Sequence, residues 1–138
     1  MVECFRSRKR GKMEEPQVDY FFDTYAIIEI LKQNPNYSPY SNELATLTIF
    51  NLAELYYSAL TDYGEEKANE IYSQYKPAVV DIEDETLKNA IKFRKEHKKK
   101  DISYADAIGY IYAQNHAMKF LTGDKAFENI PGVEYVKK

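Results

Sequence analysis

The sequence predicts an α/β fold, a parallel sheet covered by helices on both faces. Short β-branched and aromatic runs alternate with helical stretches along most of the chain. Such alternation requires crossover connections, and crossovers make neighbouring strands parallel. The 138 residues show no internal repeat and suffice for one domain with its own core.

The elements follow in order. Residues 18–22 are β-branched and aromatic, hence a strand. Residues 24–31 continue as a helix that Asn34-Pro35-Asn36 ends. A loop rich in Tyr, Ser, Pro and Asn leads to a second strand at 46–50. Asn51 opens a helix to about residue 62, with Leu52, Leu55, Tyr56 and Ala59 on one face. A third helix spans 65–75 and stops at Pro77. Residues 78–82 form a strand, and 84–98 a helix with Leu87, Ala90, Ile91 and Phe93 inward. A fifth helix spans 103–115. Residues 119–122 form a strand, 123–127 a turn and 133–136 the last strand.

Residues 1–15 stand apart, with Arg6, Arg8, Lys9, Arg10 and Lys12 and no periodic apolar pattern. They read as a disordered arm, an expression remnant or a mis-set start ahead of Met13; a nucleic-acid-binding arm is the sharper alternative. Residues 16–138 are the domain.

Composition narrows the chemistry. With 44% hydrophobic and 30% charged residues, the balance is that of a soluble globular protein. No apolar run approaches the ~18 residues of a membrane span, and the basic start lacks the apolar stretch of a secretory signal. Cys4 is the only cysteine, so no internal disulfide forms, which fits a reducing cytoplasm. One cysteine with His97 and His116 excludes a Cys/His zinc site of the usual kind. A metal here would be held by oxygen, which points to magnesium or manganese. The net charge of -3 argues against general coating of nucleic acid but leaves a local phosphodiester site open. No glycine-rich nucleotide loop is present.

Four acids occupy informative places. Asp23 interrupts an apolar run at the carboxyl end of the first strand, the rim where ligands bind in doubly wound sheets. Glu54 and Asp106 fall in the first turns of their helices, and Asp124 follows the strand 119–122. Each has a structural alternative. Asp23 would cap the following helix. Glu54, three after Asn51, and Asp106, three after Ser103, fit capping boxes. Asp124 fits a turn. Together they fit another purpose. Clustered carboxylates raise one another's pKa and destabilise a fold. A divalent cation removes that penalty, and it can activate water and stabilise a phosphodiester's leaving oxygen.

Four segments, Phe22-Asp23-Thr24, Leu47 through Leu55 with Glu54, Ile102-Ser103-Tyr104-Ala105-Asp106-Ala107, and Phe120 through Phe127 with Asp124, resemble a PIN domain in order and spacing. The resemblance covers roughly residues 18–136, and Ile130-Pro131-Gly132-Val133 fits the run into the last strand. It implies a three-layer α/β/α sandwich around a central parallel sheet, and a divalent-metal-dependent endoribonuclease. By similarity Asp23, Glu54, Asp106 and Asp124 form the acidic quartet. Asp23 and Asp106 are then the firmest ligands of Mg2+ or Mn2+, with Glu54 and Asp124 completing the site directly or through water. Thr24 and Thr122 would be hydroxyls that orient the carboxylates.

A lone short domain of this kind is most similar to VapC-type toxins of type II toxin–antitoxin pairs. That implies an RNA substrate, a homodimer, a small antitoxin and a cytoplasmic setting. The alternatives are a PIN protein of RNA processing, another carboxylate–metal hydrolase such as a phosphatase or DNA nuclease, and a non-catalytic binding scaffold.

Outside the quartet, Glu96-His97-Lys98-Lys99-Lys100 is a candidate phosphate-contacting run, with a solvated helix end as its alternative. Lys119 and Lys125 are further candidates, with salt-dependent contacts expected of any such group. Tyr56, Tyr57, Tyr110 and Tyr112 are expected in the core and at an interface rather than stacked on bases. His116, late in its helix, reads as structural.

Overall fold

The computed structural model describes residues 18–138. The expectation for the basic arm at 1–15 lies outside the described residues. Strand β1 (Tyr20–Phe22) sends Phe21 to one face of the sheet and Phe22 to the other, as the strand period of two requires. Helix α1 (Thr24–Leu31) follows directly. Strand β2 (Leu47–Thr48) runs into α2 (Ile49–Tyr63), and α3 (Glu65–Tyr75) leads to β3 (Val79–Val80). Helices α4 (Asp84–Glu96) and α5 (Tyr104–Asn115) precede β4 (Lys119–Thr122) and β5 (Val133–Tyr135).

All strand pairs are parallel. β4 lies between β1 and β5, with Phe21 opposite Phe120 and Phe22 opposite Leu121. β2 and β3 form a second ladder. The Phe22 amide donates to the Thr46 carbonyl at 2.8 Å and ties that ladder beside β1. The order across the layer is therefore β3-β2-β1-β4-β5.

Two apolar clusters fill the two sides. Ala26, Ile27, Leu52, Leu55, Ala59, Ala68 and Ile71 pack with Phe22, Leu47 and Leu121. Ala90, Ala107, Ile108, Tyr110 and Ala113 pack with Phe21, Phe120 and Phe127. The result is a three-layer α/β/α sandwich. Burying a side chain such as Leu52 or Leu55 contributes about 1.5–3 kcal/mol.

Some boundaries differ from the sequence expectation, and each difference has a local cause. The run at 46–50 contains only a two-residue strand. Thr48 and Asn51 form a capping box: the Asn51 amide donates to Thr48 Oγ1 at 3.4 Å, and Thr48 N donates to Asn51 Oδ1 at 2.9 Å. That chemistry starts α2 at Ile49, not at Asn51, and leaves Ile49 and Phe50 exposed.

Helix α4 ends at Glu96, two residues early. Its inward face carries Thr86, Ala90 and Phe93; Leu87 and Ile91, expected inward, are 41% and 40% exposed. Its contact with α5 sets that rotation. Asn115 Nδ2 donates to Thr86 Oγ1 at 3.4 Å, and Arg94 Nε donates to the Ile102 carbonyl at 2.8 Å. The two helices are thus antiparallel. Among the tyrosines, Tyr110 is buried in the core while Tyr57 is 74% exposed. No helix among the described residues is long and apolar enough to cross a membrane.

Candidate active site

The strand order reverses between β1 and β4. The chain leaves β1 toward β2 and leaves β4 toward β5, so a crevice opens at the carboxyl ends of β1 and β4. Asp23 follows β1 directly, and its backbone N–H donates to the Leu121 carbonyl at 3.1 Å. It stands at the N-cap position of α1, yet its carboxylate makes no cap hydrogen bond. The side chain is instead buried, and Thr122 Oγ1 donates to its Oδ2 at 2.7 Å. The capping alternative for Asp23 therefore fails.

Asp106 reaches the same place from α5. Its backbone N–H is capped by Ser103 Oγ at 3.1 Å. Its carboxyl hydrogen-bonds the Asp23 carboxyl. Burial first, then the negative charge of Asp23, push Asp106 up to about 10, and Asp124 and Glu54 add to the push. Asp23 is also raised, mainly by burial, against the hydrogen bonds from Asp106 and Thr122. Both shifts favour sharing of a proton by the pair, with Asp106 on the donor side.

Asp124 and Glu54 flank this pair. Asp124 caps a short turn, its Oδ1 accepting from Ala126 N at 3.0 Å, while its own N–H donates to Thr122 Oγ1 at 3.0 Å. The turn role and the rim position coexist. The Thr122 hydroxyl, fully buried, links Asp23 and Asp124. Glu54 is exposed and lies in the second turn of α2, so it is not a cap; Thr24 Oγ1 donates to its Oε1 at 2.7 Å. Among the described residues no three acidic, His or Cys side chains converge tightly enough to enclose an ion. Asp23 and Asp106 touch, and Glu54 and Asp124 act on them through charge.

Asn51 belongs to this arrangement, and a sequence reading misses it. It is buried, accepts from Thr48, and donates Nδ2 to Thr24 Oγ1 at 3.1 Å. An amide–hydroxyl–carboxylate chain from Asn51 through Thr24 to Glu54 results. The detectable signal was its spacing, three residues after Thr48 and three before Glu54. Asn51→Ala is expected to lower stability by about 2–3 kcal/mol, because a cap and a buried donor are lost together. Thermal denaturation checks this, with Asn51→Asp expected in between.

The histidines face elsewhere. Nδ1 of His97 lies 3.0 Å from the Phe93 carbonyl, and that of His116 lies 2.9 Å from the Tyr112 carbonyl. Lys119 starts β4, at the opposite end of the sheet from the acids, and is no rim contact. Lys125 is exposed in the turn that Asp124 caps.

A doubly wound parallel sheet with acids over its switch point defines an α/β protein with an acidic crevice. The PIN domain pattern matches residues 20–133, and the chain belongs to the PIN-domain family. No curated protein sequence matches the chain. Solved structures share its fold. A toxin–antitoxin complex from Klebsiella pneumoniae aligns at TM-score 0.67 and 21% identity, over 84% of this chain and 96% of that one. VapBC2 from Rickettsia felis, bound to a DNA fragment from its promoter, aligns at 0.64 and 18%, over 87% and 100%. VapBC-1 from nontypeable Haemophilus influenzae aligns at 0.64 and 20%, over 87% and 98%.

Proposed function

We propose that the chain is a divalent-metal-dependent endoribonuclease, the toxin of a type II toxin–antitoxin pair held in check by a small antitoxin. The supporting observation is the buried Asp23–Asp106 contact. Two buried acids in contact, each costly to ionise, with Glu54 and Asp124 adding negative charge, form a place whose charge a cation balances. The donors are oxygen only, as magnesium and manganese prefer.

Asp23 and Asp106 would hold the ion, with Glu54 and Asp124 completing the set. When bound, it would supply charge neutralisation and an acidified water. The chain's own groups do the rest. Thr122 fixes the rotamer of Asp23 and the backbone of Asp124. Asn51 and Thr24 aim Glu54. The relatives' complexes with antitoxins support the partner reading.

Manganese should raise the melting temperature by linkage and support cleavage of a structured RNA. Asp23→Asn should abolish both effects and relieve growth arrest when expressed in cells. A chain that binds no divalent ion and leaves RNA intact sinks the reading.

A further inference from the structure

A basic turn stands at the same end of α5 as Asp106. Thr86, early in α4, meets Asn115 at the end of α5, whereas Arg94, late in α4, meets Ile102 just before α5. The turn Lys98–Lys100 is therefore on the acidic rim's side of the fold, not at its base. All three lysines are exposed, and none pairs with an acid among the described residues. Lys92, Arg94 and Lys95 precede them, against Glu96 and Asp101 alone, in a chain whose net charge is -3.

The turn is rigid. Lys100 N donates to the His97 carbonyl at 2.8 Å, and the His97 ring lies 4.3 Å from that of Phe93. Asp101 closes it in the left-handed region at φ 58°. Beside it stands Tyr104, the first residue of α5. The Arg94 guanidinium, anchored by Nε on the Ile102 carbonyl, lies over its ring at 4.0 Å from the centroid. Tyr104 remains 58% exposed. A ring held in place on one face and open elsewhere has little conformational freedom left to lose on stacking.

We propose that Lys98, Lys99, Lys100 and Tyr104 form a single-strand RNA track at the acids' end of α5, on which Tyr104 stacks a base and the lysines hold backbone phosphates. The proposal rests on the ribonuclease reading above and names how its substrate is held. Cations along a strand with an aromatic platform are what single-stranded nucleic acid requires. They also supply positive charge where four carboxylates would otherwise repel a phosphodiester. An acidic peptide would use the lysines and leave Tyr104 idle.

The test is fluorescence anisotropy of a short single-stranded RNA, in EDTA so that cleavage does not intervene, across a series of salt concentrations. Tyr104→Ala should weaken binding roughly 5- to 100-fold while Tyr104→Phe stays near wild type, since stacking needs only the ring. The triple change of Lys98, Lys99 and Lys100 to Ala should reduce the steepness of log affinity against log salt by about 2. Wild-type affinity and salt dependence in both variants overturn the proposal. So does a polyglutamate peptide that binds as tightly as RNA with Tyr104→Ala indifferent. Manganese-dependent RNA cleavage with unchanged binding in the variants defeats this track alone. The expected binding losses without cleavage by wild type defeat the ribonuclease reading alone.

Discussion

Asp106→Asn is expected to raise the melting temperature of the metal-free protein and to flatten its pH dependence. In the fold burial and the neighbouring Asp23 push Asp106 up to about 10, from an ordinary carboxyl value of 3.8. Between these values the folded chain keeps a proton that the unfolded chain has lost. The stability contributed by this group is therefore fully present below the unfolded value and falls as pH rises toward the folded one. For one proton the slope is at most ~1.4 kcal/mol per pH unit.

An asparagine at 106 retains a donor toward Asp23 and removes the titration. With excess manganese the order should reverse. Wild type gains stability by linkage and the variant does not. Melting curves from about pH 5 to about pH 9, with EDTA and with manganese, check the sign. A metal-free wild type whose stability rises over this range, or a variant that still gains from manganese, contradicts the shared proton.

What could be read from the sequence was local, and what could not was distant. Asp23 stood out because a carboxylate inside Phe-Phe-Asp-Thr-Tyr needs a reason. Strand–helix alternation identified the parallel sandwich. The second strand was overextended because Thr46 through Phe50 is β-branched and aromatic; the cap between Thr48 and Asn51 overrode that propensity. The inward face of α4 was misjudged because Leu87 and Ile91 are the larger apolar side chains. Contact with α5 turned Thr86 inward in their place, beside the expected Ala90 and Phe93, and no pattern within α4 records that neighbour.

The site's wiring was the least legible part. Thr24 and Thr122 were both expected near the acids, but their partners were not assigned. Thr122 reaches Asp23 across 99 residues, and Thr24 reaches Glu54 across 30. Only the folded sheet specifies such pairs.

Gly109→Ala is expected to destabilise the protein and to weaken the acidic site, although alanine is the better helix former. Gly109 lies on the face of α5 that meets β1 and β4. An added Cβ would stand 2.5 Å from Phe21 Cε1, 2.9 Å from Phe21 Cζ and 3.1 Å from Phe120 Cε1. Neither ring can retreat. Both are fully buried, stacked at 5.8 Å, and Phe120 also packs against Phe127 at 4.9 Å. Helix α5 would have to move. Overpacking of this kind costs about 1–3 kcal/mol, against a gain of ~1 kcal/mol from helix propensity. A net loss of up to about 2 kcal/mol follows.

The displacement matters for function because Asp106 sits one turn before Gly109, on the same face of α5. A helix lifted from the sheet carries Asp106 away from Asp23, so the manganese-linked gain in melting temperature should shrink as well. Phe21→Leu on the Gly109→Ala background should restore part of both by making room for the methyl. If Gly109→Ala melts at or above wild type with its manganese response intact, the close seating of α5 on Phe21 does not set the spacing of the two acids.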